Sequence, residues 1–301
     1  MAGEIPQKES IADVLKKYKE NQTIQTNAPT VMGNAIPNAP VFNQQEFEKA
    51  MSKETDPDLM TSYELVKLPS KGIFYPHKIS EVAVEYMTSK DEDLLTTPSL
   101  IDSGELLNIL LKRKIKTPGI VVEDLLQGDR NAILLFLRTS SYGSDYSVQV
   151  TDPRNGITFN SKVDLLKLKY KEINEMPDEF GRFKVEIPMR KKIVTFRLIS
   201  AGEDALLFKK AEQIKEAYGE EVSSYPTMKL KAHIVAINEK TDRSYIDRFV
   251  DAMPALDALT IRKKIMEVSP DVDMKYEFTA KDGYKFEAYL TLGLDFFFPN
   301  I

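Results

Sequence analysis

Two histidines, His77 and His233, and two acidic clusters, Asp91-Glu92-Asp93 and Asp271-Val272-Asp273, are the groups whose types could support acid–base chemistry or hold a divalent cation. Neither pattern points to a reaction. His77 follows a turn and His233 sits beside Ile234 and Val235 in a helical stretch; their spacing matches no metal motif, so both read as packing or surface residues. The acidic clusters fall at a helix start and at the edge of a hairpin, where carboxylates cap or stay solvated. No nucleophile elbow, phosphate loop or dinucleotide fingerprint is present, and the lack of tryptophan weakens a carbohydrate-binding reading. The expectation is a non-enzymatic chain with no catalytic residue, no cofactor and no metal.

Composition narrows the class further. The chain has 301 residues, 42% of them hydrophobic, enough for one full core or two lobes. With 41 basic and 46 acidic residues the net charge is −5, which argues against a protein built to grip nucleic acid. The runs Arg190-Lys191-Lys192 and Arg262-Lys263-Lys264 lie beside acids and read as solvated faces. Cysteine is absent, so disulfides and thiolate zinc sites are excluded and a reducing compartment is the simplest setting. The first residues lack the apolar core of a signal peptide, and no apolar run approaches the roughly 20 residues a spanning helix needs, so synthesis in the cytoplasm and no membrane partner are expected.

The stretch that must organise these groups is 128–143, GDRNAILLFLRTSSYG. Six apolar residues, 132–137, leave no polar side, which predicts a helix covered on every face. A short helix over 121–126 stopped at Gly128 is expected before it, with Asp129 as the N-cap of the new helix and Tyr142-Gly143 as its end. Arg130 and Arg138 lie two turns apart on one face and could hold an internal carboxylate or a partner.

Around this helix an α+β fold is expected in three parts. Residues 1–60 read as a flexible N-terminal arm: a short amphipathic helix with Ile11, Leu15 and Tyr18 on one side, then an Asn-, Pro- and Thr-rich tether. Residues 61–176 form a central domain of helices and hairpins around the one buried helix. YELVKL and 82–87 are predicted strands about a PSKG turn, Thr88-Ser89 caps a helix, Pro98 begins another unit, and 106–115 is helical. YSVQV and ITFNSKV flank the turn DPRNG as a hairpin, and 165–176 is expected to be partly helical. Residues 177–301 make a second α+β lobe. It opens with the hairpin FKVEIPM/KIVTFRL and continues with helices from Ser200 to Tyr218, over 226–239, 241–252 and 254–268. A last hairpin turning at Lys281-Asp282-Gly283 precedes Phe296, Phe297 and Phe298, three rings that must be buried in the lobe or in a neighbour.

LPSKGIFYP at 68–76, TSKDEDLL at 88–95 and EDLLQGDRNAILLFLRTSSYGSDYSVQVTDP at 123–153, in this order and spacing, resemble the baseplate hub family of T-even-like contractile-tailed bacteriophages. The similarity spans 65–165, with a weaker echo in GLDFFFP. Many members carry a Cys-Pro-x-Cys-Gly knuckle where this chain has Asp152-Pro153-Arg154-Asn155-Gly156, so the turn is kept and any metal role is lost. The arm and the C-terminal lobe read as extensions of the compact relatives.

The resemblance implies a structural component of the baseplate hub, acting by protein–protein contact with other hub or tail proteins in the virion after assembly in the host cytoplasm. Self-association within the assembly stays open. An assembly chaperone that leaves the particle is the alternative, and a tail-associated cell-wall hydrolase a more distant one. The residues expected to meet partners are Ile11, Leu15, Tyr18, Lys71, Gly72, Asp129, Arg130, Arg138, Tyr142, Phe296, Phe297 and Phe298.

Overall fold

In the computed structural model, which describes residues 62–97, 100, 105–218, 224–290 and 294–297, the chain is α+β. The first 61 residues, with the predicted arm and its Ile11, Leu15 and Tyr18, lie outside the described residues, as do Phe298 and Pro98. Strand β1 (Tyr63–Lys67) pairs antiparallel with β2 (Glu81–Glu85) across the loop 68–77. Helix α1 (Ser89–Leu95) follows, opened by a capping box in which Thr88 and Asp91 satisfy each other's backbone. Helix α2 (Leu106–Lys114) then leads to Ile115, which bridges to Val84 and so extends the β2 edge.

A 3-10 turn at Val122–Asp124 precedes α3 (Gln127–Tyr142), the predicted central helix. Three expectations change here. The 121–126 segment is a 3-10 turn and extended chain; Gly128 lies inside α3; and the N-cap is Leu126, with Asp129 in the first turn. Ala132, Ile133, Leu134 and Leu137 are buried, but Leu135 and Phe136 are only half-buried, so the helix is not covered on every side. Phe136 stacks on Tyr86 at 5.7 Å between ring centroids, which gives the outer face an aromatic lid.

Gly143, at φ 80°, ends α3 and turns the chain into the hairpin of β3 (Asp145–Thr151) and β4 (Thr158–Asp164). The 165–176 segment forms only a 3-10 turn at Leu165–Lys167. Beyond it the backbone forms an isolated antiparallel bridge with the distant segment 271–273, Lys171 N–H donating to Asp271 O at 2.8 Å and Asp273 N–H to Lys169 O at 2.7 Å, so these amides are not free to form a helix.

Strands β5 (Arg182–Ile187), β6 (Lys192–Arg197) and β7 (Ile234–Ile237) form an antiparallel sheet in that order. Helix α4 (Ala201–Tyr218) starts at Ser200, whose hydroxyl accepts from Glu203 N–H while Glu203 accepts from Ser200 N–H. Helix α5 (Tyr225–His233) is shorter than the predicted 226–239 helix. The apolar run IVAI instead pairs with β6, the partner strand outweighing local helix preference. Helices α6 (Arg243–Asp251) and α7 (Ala255–Val268) and the hairpin β8 (Lys275–Thr279)/β9 (Lys285–Tyr289) complete the body.

The largest apolar cluster takes Leu68, Val82, Leu110, Ile133, Leu137 and Val163 together with Phe278, Phe286, Phe296 and Phe297. A second lies between the three-stranded sheet and α5, α6 and α7, and a third, with Leu126, Phe183, Phe196 and Val268, is lined by Phe74 and Tyr75. The last hairpin and its two phenylalanines thus close the core around α3.

Leu134, 2% exposed, tests that core. Replacing it with Ala is expected to cost about 2–5 kcal/mol in urea unfolding. Leu134→Asp buries an unpaired charge and is expected to abolish cooperative melting by circular dichroism; a variant that melts like the parent would remove α3 from the core.

Candidate functional site

The four residues GDRN at the start of α3 between them meet three separate parts of the chain. Opposite them the loop 68–77 bends inward, with Lys71 at φ 52° and Gly72 at φ 73°. A Cβ on Gly72 would stand 2.6 Å from the Lys78 and Ile79 carbonyl oxygens, so only glycine fits this turn. Ser70 N–H, now buried, donates to Asp129 Oδ1 at 2.9 Å, and the Tyr75 hydroxyl donates to Asp129 Oδ2. The same hydroxyl accepts from Leu126 N–H at 2.9 Å. Asp129 is the third residue of the helix and Leu126 its cap, so Tyr75 relays the contact that a capping box would make directly.

Asp129 is fully buried. Burial, before any other cause, raises its pKa above the usual carboxylate range, with the hydrogen bonds from Ser70 and Tyr75 pulling the other way. Burial, followed by the adjacent Asp129, also holds the Tyr75 phenol above its ordinary range.

The neighbouring positions are as constrained. A Cβ on Gly128 would lie 2.0 Å from Pro270 O and 2.5 Å from Asp271 Cα, backbone atoms that cannot swing aside. Arg130 is buried near Glu123 and Glu105; burial lowers its pKa, and its Nε has no hydrogen-bond partner among the described residues. Asn131 Nδ2 donates to Asp271 Oδ1 at 3.0 Å. Just upstream, Ala201 N–H donates to Leu125 O at 2.8 Å, docking the start of α4 on the same segment.

The other end of α3 is tied by Arg138. Its Nε donates to Phe296 O at 2.7 Å and its Nη1 to Gly143 O at 3.0 Å, while its guanidinium lies 5.3 Å from the Tyr142 ring centroid. Carbonyls at a helix C-terminus and aromatic faces take the place of a carboxylate. Tyr142 is half-buried and donates to Glu92 Oε1 at 3.1 Å; burial first, and Glu92 second, push its phenol up to about 12.

Of the predicted partner residues, Asp129, Arg130, Arg138, Phe296 and Phe297 are therefore buried, and Gly72 is enclosed by its own loop. Lys71 is exposed and Tyr142 partly so. The acidic clusters are occupied too: Asp91 pairs with Lys114 at 2.6 Å and Asp271 holds Asn131. His233 is buried, and its Nδ1 lies 2.7 Å from Arg197 O, so that nitrogen carries the proton. Ser70 and Tyr75 escaped sequence reasoning, and Asp271, weighed there only as an acid–base or cation group, was not linked to α3. The one signal was a tyrosine in an apolar loop, whose hydroxyl needs a partner once its ring is buried.

Where the cysteine knuckle would stand, Asp152 Oδ1 accepts from Arg154 N–H at 2.9 Å and Nε–H at 3.1 Å. Arg154 also reaches Asp282 Oδ2 at 2.9 Å and lies over the Tyr284 ring at 3.8 Å, so side chains join the two hairpin turns. The Arg154 hydrogen bond holds the Asp152 carboxyl below the usual range. Among the described residues no group of three or more His, Asp or Glu is placed to hold a metal.

A cleft of about 840 Å³ runs between the start of α3, α5 and the end of α7. Its Asp204 accepts from Tyr225 Oη at 2.6 Å and Lys229 Nζ at 2.7 Å, an ion pair complete within the wall.

A family model described as T4 bacteriophage base plate protein matches residues 60–299. No curated protein and no solved structure matches the chain. The match takes in the C-terminal half, which the sequence had suggested to be an extension; it is part of the family's shared body.

Asp129→Ala leaves Ser70 N–H and Tyr75 O–H without their acceptor, at about 1–3 kcal/mol each. A second expectation concerns pH. Because the folded-state pKa of Asp129 is raised, its favourable contribution is complete below the unfolded value and is lost as pH rises through the folded one. The stability advantage of the parent over Asp129→Asn, from urea titrations across pH, should therefore shrink from acid toward neutral pH. Gly128→Ala, which forces backbone apart, should cost about 1–3 kcal/mol or more in the same assay.

Proposed function

This chain belongs to the family of T4 bacteriophage base plate proteins, and on that footing we propose that it is a structural subunit of the baseplate hub at the distal end of the tail tube. The observation that carries the reading is the match itself, which spans nearly all of the described body. Its work is protein–protein contact, without catalysis, with other hub and tail proteins of the virion, assembled in the host cytoplasm.

Two features support a retained subunit. The motif residues are spent on internal bonds that make a rigid block, as a part of a load-transmitting assembly requires. The surface also exposes large apolar side chains, Leu206 and Phe208 on α4, Met266 on α7 and Tyr289 on β9, the kind of surface that marks contact with other proteins. For the arm we propose that Ile11, Leu15 and Tyr18 form the apolar side of a peg for a neighbour, with Lys71 and Tyr142 available on the body.

Quantitative mass spectrometry of purified infectious particles, beside the infected-cell lysate, decides between a subunit and a chaperone. A fixed ratio to a tail protein of known copy number is expected. Presence in the lysate with absence from the particle would make it an assembly factor instead. Deleting residues 1–40 should leave the melting transition intact and lower incorporation into particles; normal incorporation would remove the peg role.

A further inference from the structure

A basic pocket beside the start of β1 has no role in the network around Asp129. It encloses about 590 Å³ and is lined by Glu85, Thr88, Ser89, Lys90, Arg113, Lys114 and Lys116. Inside the fold Lys114 is buried and bonds Asp91 at 2.6 Å, Glu85 at 3.2 Å and the Tyr86 carbonyl at 2.8 Å. Lys116 shares Glu85 at 3.1 Å and Arg113 shares Asp91 at 3.2 Å. Two carboxylates thus serve three cations, and Lys90 makes no ion pair among the described residues. Four positive charges face two negative ones in a chain whose net charge is −5. Such a local excess of one sign attracts the other.

The chain itself brings the opposite sign to this place. Tyr63 pairs with Glu85, and Tyr86 N–H donates to Ser62 O at 3.0 Å, so Ser62 lies beside Tyr86, between the pocket residues Glu85 and Thr88 in sequence. In the sequence Leu59 stands three residues before Ser62 and Asp58 four. Immediately upstream stands the acidic sequence Glu54-Thr55-Asp56-Pro57-Asp58. At about 3.3–3.6 Å per residue, even its far end is within reach of every cation in the pocket.

We propose that the acidic segment 54–58 docks in this pocket, its three carboxylates supplying the charge that Lys90, Arg113 and Lys116 lack. Docking would fasten the segment that joins the N-terminal region to the body, and the ionic latch would loosen with salt.

The absence of cysteine makes the test direct. Leu59→Cys with Ser89→Cys keeps every charge in place, and in the full-length chain under mild oxidation it should form an intramolecular disulfide, which requires the two Cα atoms within about 7 Å. The yield should exceed by about tenfold that of Leu59→Cys paired with Arg248→Cys on α6, as expected when a tethered segment has a preferred site. Glu54→Gln, Asp56→Asn and Asp58→Asn together, which leave the body untouched, should erase the excess, as should Arg113→Gln with Lys116→Gln where the melting transition is kept. A yield no greater than the control, a yield indifferent to neutralising the segment, or a disulfide formed only between chains would overturn the proposal.

Discussion

A carboxylate taken wholly out of water must be given hydrogen-bond donors on both oxygens, and the body of this protein is arranged to supply them to Asp129. The donors come from a single loop, 68–77, which can reach inward only by passing through left-handed backbone at Lys71 and Gly72. Tyr75 must then satisfy its own hydroxyl, and it does so by accepting the cap amide of the helix that carries Asp129. Loop and helix start are therefore set by each other: neither has a complete set of hydrogen bonds alone. The helix dipole favours an anion at this end, which offsets part of the cost of burying it.

Fixing that end of α3 fixes what lies around it. With the helix held against the loop, Gly128 can admit the Pro270 backbone at a distance no side chain allows, and Asn131 meets Asp271 on the next turn. Arg138, two turns beyond Asn131, bonds the Phe296 carbonyl and draws the far end of the chain into the same core. Of the three buried ionic groups on this helix, Asp129 near its N-terminus and Arg138 near its C-terminus sit where the dipole prefers each, whereas Arg130, beside Asp129, does not. The partners of Asp129 and Arg138 lie 59 and 158 residues away in sequence, so the fold's closure depends on non-local contacts.

What was legible in the sequence follows from which interactions are local. The β1/β2 and β3/β4 strands, the Thr88 and Ser200 starts and the Gly143 end are written in alternation, capping residues and glycine, and the fold has them at those places. Asp129 looked like an N-cap because an acid before an apolar run usually is one; its true role needs Tyr75, which no local pattern links to it. The sequence pattern makes α5 longer than it is because IVAI satisfies helical and strand preference alike until β6 is present to pair with it. The 165–176 segment reads as helical by lysine content, yet Asp271 O and Lys169 O take part in a pairing across a hundred residues. The site was legible as a set of positions and not as a set of roles.

That distinction bears on how a family signature relates to an assembly. Most of the motif residues that make LPSKGIFYP and GDRN recognisable are spent inside the fold: Ser70 and Tyr75 on Asp129, Gly72 in its turn, Gly128 on Pro270, Asn131 on Asp271. A signature of this kind reports that a chain builds the same body, since changing any of these residues strains backbone or orphans a buried polar group. It carries little information about neighbours, which touch what remains outside. The partner contacts proposed for this chain fall instead on side chains the fold leaves outside, such as Leu206 and Tyr289, both more than half exposed.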